Sequence, residues 1–224
     1  MAESRHSRGP CAYCGRQCTR AGMIPHLRGC VDRAVAMDEA HGKAGRIVPL
    51  CHLQVTDGWT GGYWLNLEVD GTATLGDVDA YLRAIWLECC GHPSRFSERG
   101  WRGAEIPMTR KVGPVFHPGA RAVHVYDFGK ESLAVVKCLD VREGPRCARR
   151  PIALMARNAA PLLDCIECGD PAERVCRGCT DIGLVAALCL EHSTAHDLCG
   201  EPVALVNSPR LGLCAYTGPA EPPS

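Results

Sequence analysis

Regular patterning is concentrated in the middle of the chain. "CHLQV" (51–55) alternates, with Cys51, Leu53 and Val55 on one face, and "YWLNLEV" (63–69) sets Leu65, Leu67 and Val69 opposite Asn66 and Glu68. A period of two predicts two half-buried strands. In "TATLGDVDAYLRAIWLECCG" (72–91) the period changes to that of a helix. Leu75, Val78, Leu82, Ile85, Trp86 and Cys89 form one apolar stripe, Thr74 and Asp77 mark the start, and Gly91 marks the stop. "RAVHVYDFGKESLAVVKCLDV" (121–141) reads as two strands joined by a turn near Gly129, and "PIALMA" (151–156) as one more. Strands and one long helix without a βαβ repeat predict an α+β domain over residues 48–160.

Outside that domain the pattern fades and cysteines take over. Residues 1–31 open with a polar tail, 32–47 form a connector that is helical as far as His41, 161–218 are cysteine-rich, and 219–224 are a Pro-rich tail. The chain of 224 residues holds 16 cysteines and only 5% aromatics, with 25 basic and 25 acidic residues in balance. Several small units therefore fit better than one large core, and no overall field favours nucleic acid or a membrane. "AESRHSRGP" after Met1 lacks the apolar core of a secretory signal, and no run nears the roughly 18 apolar residues that span a bilayer. A cytoplasmic location with reduced thiols is the expectation, so the cysteines point to metal ligation, not to disulfides.

The carboxy-terminal series is Cys165-x2-Cys168, x7, Cys176-x2-Cys179, x9, Cys189-x2-His192, x3, His196-x2-Cys199. Two intervening residues let both side chains of one turn meet a single ion. Eight ligands fill two closed tetrahedral zinc sites, which are structural because no position is left for water. The order resembles B-box and related cross-brace modules. That arrangement groups Cys165, Cys168, Cys189 and His192 on one ion and Cys176, Cys179, His196 and Cys199 on the other. A sequential pairing of the same eight residues is the alternative. The segments between ligands offer little core, so the metal must supply most of the folding energy.

"CAYCGRQCTRAGMIPHLRGC" gives Cys11-x2-Cys14-x11-His26-x3-Cys30 and resembles a ββα zinc finger with Cys in place of the second His. His26 and Cys30 at i, i+4 share one helix face, while Cys18 is a rival ligand. Cys18 and Met23 stand where such a finger places an aromatic and a leucine, so its own small core is thin. One finger reads only about 3 bp, Pro25 interrupts the short helix, and Ala21 and Gly22 supply no base-reading groups. A protein contact or a structural role is thus expected ahead of auxiliary nucleic-acid binding.

The stretches "YWLNLEV", "TLGDVDAYLRAIWLECCGHPSRF" and "VHVYDFGKESL" look like the Ri-plasmid ORF-type family of bacterial and archaeal proteins, often described as plasmid or insertion-element passengers. The likeness is greatest to a subgroup with an amino-terminal finger and a cysteine-rich tail closing with "VNSPRLGLCAYTG". It implies an α+β fold and no defined activity. The resolvase label of some members finds no activated serine or arginine cluster here, and Pro93 stands where the family usually has leucine. Cys89, Cys90, His92, Tyr126 and Asp127 are the candidates for a central-domain site. On the plain reading Cys89 and Cys90 pack the last helical turn, His92 caps it and Asp127 orders the hairpin turn. His52, His117 and His124 read as satisfied strand or loop histidines. Cys51, Cys138, Cys147 and Cys214 read as packing or surface thiols. The sequence thus predicts a binding or adaptor protein with three structural zinc ions, contacting protein or nucleic acid and no membrane. The alternative is a hydrolase or nuclease-like enzyme with its site between "ECCGH" and "YDFG".

Overall fold

The computed structural model describes residues 7–43, 45–87, 91–176, 178–179, 185–196 and 200–211. They fall into two units, Met1–Leu82 with His92–Ala159, and Arg83–Gly91 with Ala160–Ser224.

The first unit is built on a sheet of seven strands. In chain order these are β3 (Val48–Asp57), β4 (Trp64–Asp70), β5 (Ser94–Ser97), β6 (Glu105–Ile106), β7 (Arg121–Tyr126), β8 (Ser132–Gly144) and β9 (Ile152–Arg157), with the short helix α4 (Val112–Val115) between β6 and β7. In space they run β6-β5-β7-β8-β3-β4-β9, every pair antiparallel. β3 is an inner strand, with Leu53 paired to Leu67 of β4 on one side and Cys138 of β8 on the other. Cys51, Leu53, Val55, Leu65, Leu67 and Val69 are all fully buried, as their alternation predicts. Helix α3 (Leu75–Leu82) lies on that face, where buried His124 of β7 donates from Nε2 to Asp79 Oδ1 at 2.6 Å. The start of α3 is a reciprocal cap. Asp77 N–H donates to Thr74 Oγ1 at 3.1 Å, and Thr74 N–H donates to Asp77 Oδ2 at 2.8 Å. The helix then differs from the expected single α-helix, because Arg83–Leu87 is a π-helical turn. Pattern alone does not separate a 3.6-residue turn from a wider one.

A second difference concerns β4. Its polar face is buried as well as its apolar one, from Trp64 to Asp70. The cause is the amino-terminal segment, which covers this face of the sheet. Strands β1 (Arg8–Pro10) and β2 (Gln17–Thr19) form a hairpin, followed by helices α1 (Arg20–Gly29) and α2 (Val31–Gly42). Gly9 lies flat against the end of β9, where a Cβ would stand 1.8 Å from the Arg157 carbonyl oxygen. Ala12 N–H donates to Met155 O at 2.8 Å, and Ala159 N–H donates to Arg8 O at 2.7 Å.

The polar residues trapped beneath the segment are paired. His52 donates from Nε2 to Asn66 Oδ1 at 2.9 Å. Glu68 accepts from Arg142 at 2.8 and 3.0 Å and from Arg33 of α2 at 3.3 Å. One carboxylate between two guanidiniums keeps the buried charge compensated. Tyr13 beside this cluster is pushed up to about 12 by burial, then by the Glu68 charge.

The second unit has small elements: β10 (Arg174–Val175), β11 (Ala187–Leu188) and β12 (Val203–Ala204) in the order β11-β10-β12, and helix α5 (Leu190–Ala195). Its core is Cys165, Cys176, Ala186 and Leu188, with Cys179 and Cys189 packed against it. Half or more of that core is cysteine, so thiols stand where a larger domain has aliphatic side chains. Ser208 is buried here and its hydroxyl donates to the Trp86 carbonyl, one of those in the π-helical turn. Among the described residues no helix is long and apolar enough to cross a membrane.

Candidate metal centres

The two cysteine turns that open each unit's metal cluster share one construction. In "CAYCG" Gly15 N–H donates to Cys11 O at 2.8 Å with φ +73°, and in "CIECG" Gly169 N–H donates to Cys165 O at 2.9 Å with φ +79°. The left-handed glycine lets the chain fold back after the second cysteine, so both sulfurs face one point. A C-x2-C-G signature carries this geometry, and the glycine is the part that ligand spacing alone overlooks.

Around these turns the structure gathers three sets whose ligand atoms lie within 4.8 Å of one another: Cys11, Cys14, His26 and Cys30; Cys165, Cys168, Cys189 and His192; and Cys176, Cys179 and His196. Cys199, the eighth residue of the carboxy-terminal series, lies outside the described residues. The first and third pairs of that series share a set, and the second pair joins His196 of the fourth. Cys18 stands apart from the amino-terminal set and packs in the hydrophobic core.

The edge lengths test whether an ion fits. A tetrahedral zinc with metal–sulfur bonds of about 2.3 Å has sulfur–sulfur edges of about 3.8 Å and slightly shorter sulfur–nitrogen edges. Here Cys168 and Cys189 sulfurs are 3.8 Å apart, and those of Cys11 and Cys30 are 4.0 Å apart. His26 Nε2 is 3.3 Å from Cys14, His196 Nε2 is 3.4 Å from Cys179, and His192 Nδ1 is 3.2 and 3.7 Å from Cys189 and Cys165. These separations suit one ion per set and are far too long for a disulfide. None of the twelve described cysteines is in a disulfide.

Local structure places each ligand. Thr19 caps α1 by accepting from Gly22 N–H at 3.2 Å, and α1 carries His26 inward with Pro25 retained inside the helix. In the second unit Cys189 is itself the cap of α5, its sulfur accepting from His192 N–H at 3.5 Å. That cap fixes the i, i+3 pair on the first turn. Burial raises the Cys165 thiol, but backbone amides of Cys189, Cys168 and Glu167 outweigh it and bring it down to about 6. At Cys168 the Asp170 amide lowers the thiol, yet burial and the Cys165, Asp170 and Cys189 side chains prevail and push it up to about 12.

The finger owes its interior to the sheet. Cys18, Met23 and Leu27 are joined in one core by Trp64, Met155 and Ala156, with Tyr13 against it. The thin core expected from Cys18 and Met23 is completed by residues some 40 to 130 positions later in the chain, which spacing rules cannot see.

Of the central-domain candidates, His92, Tyr126 and Asp127 come together, while Cys89 and Cys90 lie outside the described residues. His92 Nδ1 is 3.4 Å from Asp127 Oδ2, and its ring meets that of fully buried Tyr126 edge-on at 5.9 Å. Asp127 follows the end of β7 at φ +60° and accepts from Gly129 and Lys130 N–H at 3.1 and 3.2 Å. Strand β7 ends at Tyr126, so Asp127 is buried as part of the turn. His124 is satisfied by Asp79 and His52 by Asn66. Cys51 and Cys138 meet inside the sheet, where the hydrogen bond to Cys138 and then burial push the Cys51 thiol up.

No family model matches the chain, and no curated protein matches it. Among solved structures, a protein of unknown function from Methanosarcina mazei Go1 is similar over 55% of this chain and 75% of its own, with 18% identity and a TM-score of 0.42.

Proposed function

We propose that this is a binding or adaptor protein held in shape by three structural zinc ions, contacting protein or nucleic acid. The observation that carries the reading is the three Cys/His sets with tetrahedral edge lengths. Cys11, Cys14, His26 and Cys30 hold one ion. Cys165, Cys168, Cys189 and His192 hold the second in a cross-brace with Cys176, Cys179, His196 and Cys199, which hold the third. Mixed thiolate and imidazole donors favour zinc over other divalent ions. Bound there, the ion supplies cross-linking and charge neutralisation, with no open position for a reacting water. Reduced thiols in such number fit a cytoplasmic protein. We read the central domain as a relative of the Ri-plasmid ORF-type family on the motifs quoted above. Native mass spectrometry of protein purified without chelator tests the assignment. Three zinc ions per chain are expected, and a folded protein free of metal overturns it.

A second reading places a hydrolase or nuclease-like site at His92 and Asp127. Their 3.4 Å contact and the partial exposure of His92 support it. The use of Asp127 Oδ1 by two turn amides favours a structural role for that carboxylate. Any turnover found with model phosphodiesters or peptides must vanish in His92→Ala while zinc content is unchanged; otherwise this second reading fails.

A further inference from the structure

Three large aromatic side chains stand out of the first unit, each on a connection of the seven-stranded sheet. Trp59 is 64% exposed on the β3–β4 loop, Trp101 41% on the β5–β6 loop, and Phe128 45% on the β7–β8 turn. The β3–β4 and β7–β8 connections share one end of the sheet, whereas the β5–β6 loop leaves β5 at Ser97, beside Val123 and away from that end, and folds back to bring Trp101 to Phe128. Gly58 N–H donates to Leu133 O at 2.8 Å, which joins the Trp59 loop to the root of the β7–β8 turn. Trp101 meets Phe128 edge-on with ring centroids 4.6 Å apart.

Trp101 is exposed yet held still. The Arg95 guanidinium lies over its ring at 5.3 Å and donates to the Gly100 and Gly103 carbonyls at 3.2 and 2.9 Å. The indole N–H donates to the Glu131 carboxylate. Ser97 Oγ donates to Gly100 O at 2.6 Å and closes the loop. An exposed indole fixed on three sides has already lost its rotamer freedom, so a flat partner stacks on it with little further ordering.

The surrounding segment is net basic. Residues 95–137 carry eight lysines and arginines against four carboxylates, Glu131 at the indole among them, whereas the rest of the chain carries 17 against 21. Arg99 and Arg102 flank Trp101 and Lys130 follows Phe128, all three exposed. An aromatic platform edged with cations is what unpaired bases on a phosphate backbone require. Acidic peptides satisfy the cations but leave the rings without stacking partners.

We propose that Trp101 and Phe128, with Arg99, Arg102 and Lys130 beside them, form a stacking site for single-stranded nucleic acid. The site is built on connections of the central sheet, and none of its residues belongs to the finger. It rests on the reading of the chain as a binding protein and is independent of its ions.

The test is fluorescence anisotropy of a fluorescein-labelled oligothymidylate with the full zinc-loaded chain, alongside the matching duplex and polyglutamate as competitors. Expected are quenching of tryptophan emission, weakening with salt, and preference for the single strand. Trp101→Ala and Phe128→Ala should each weaken binding by about fivefold or more, and Arg99→Glu with Arg102→Glu should weaken it further. Equal affinity for duplex and single strand, full competition by polyglutamate, or indifference to both aromatic variants overturns the proposal. Absence of binding by protein that retains three zinc ions overturns this site and leaves the zinc assignment standing. Phe128→Ala lies on an exposed turn, so it remains informative if Trp101→Ala disturbs its loop.

Discussion

Met23 of the finger helix and Trp64 at the head of strand β4 are both completely buried in a single shared core. The finger and the sheet therefore depend on each other. Trp64→Ala should destabilise the first unit by about 3–5 kcal/mol, the range for a large buried aromatic. It should also release the amino-terminal ion at a lower chelator concentration. Urea unfolding and a chelator titration read the two effects, and a finger that kept its ion unchanged would show the core to be separable.

Glu68 holds the charge balance under the same segment. Glu68→Gln leaves Arg33 and Arg142 facing a neutral amide in a buried site, which should cost about 3 kcal/mol. Glu68→Leu combined with Arg142→Met should cost less than Glu68→Gln alone, because both the carboxylate and one of its guanidiniums are removed. Equilibrium denaturation of the wild type and these variants gives the comparison.

Thr74 and Asp77 should lose stability together. Thr74→Ala removes one arm of the reciprocal cap and should destabilise by roughly 0.5–2 kcal/mol. Adding Asp77→Ala should cost less than in the wild-type background, since the other arm has already gone. Additive losses in denaturant midpoints would mean that the two arms act independently.

His52 supplies a pH dependence whose sign is fixed by its burial, which depresses its pKa in the folded state against the help of Asn66. As pH falls through about 6.5 the unfolded chain takes up the proton first. The fold then loses stability until the lower folded pKa is reached. His52→Gln keeps a donor for Asn66 and removes the titration. Between about pH 7 and pH 5.5 the wild type should lose more stability than His52→Gln, a difference that cancels the acid sensitivity shared by the metal sites.

Chelation should act unevenly. The second unit has cysteines for much of its core, so metal removal should abolish amide protection in β10, β11 and α5. Protection of β3, β4 and β8, which rests on aliphatic burial, should survive. Hydrogen exchange with and without chelator distinguishes this from uniform unfolding.

How much of this was legible in the sequence follows from the range of each interaction. Strands β3, β7, β8 and β9 and the start of α3 are written in local alternation and in the Thr74–Asp77 pair. The ligand sets are written in spacing, since a two-residue gap is itself a geometry. Strands β5 and β6 were hidden in a polar stretch, where pairing with β7 decides the structure and side-chain pattern does not. The burial of Asn66 and Glu68 was equally hidden, because a polar face is read as solvent-exposed until a distant segment is known to cover it. The π-helical turn at Arg83–Leu87 carries a carbonyl that accepts from Ser208, far along the chain, and no local pattern announces it. Nothing local in the sequence marks Trp101, because the contacts that fix it come from Arg95 of β5 and from Glu131 in the β7–β8 turn.

The borrowed interior of the finger also sets an order of events during synthesis. All four of its ligands leave the ribosome well before Trp64, and earlier still than Met155. A nascent amino terminus can gather an ion, but it lacks the hydrophobic cover that shields that ion until β9 has been made. For most of translation an ion gathered there would therefore be open to exchange, and the last strand of the sheet is the step that seals the set.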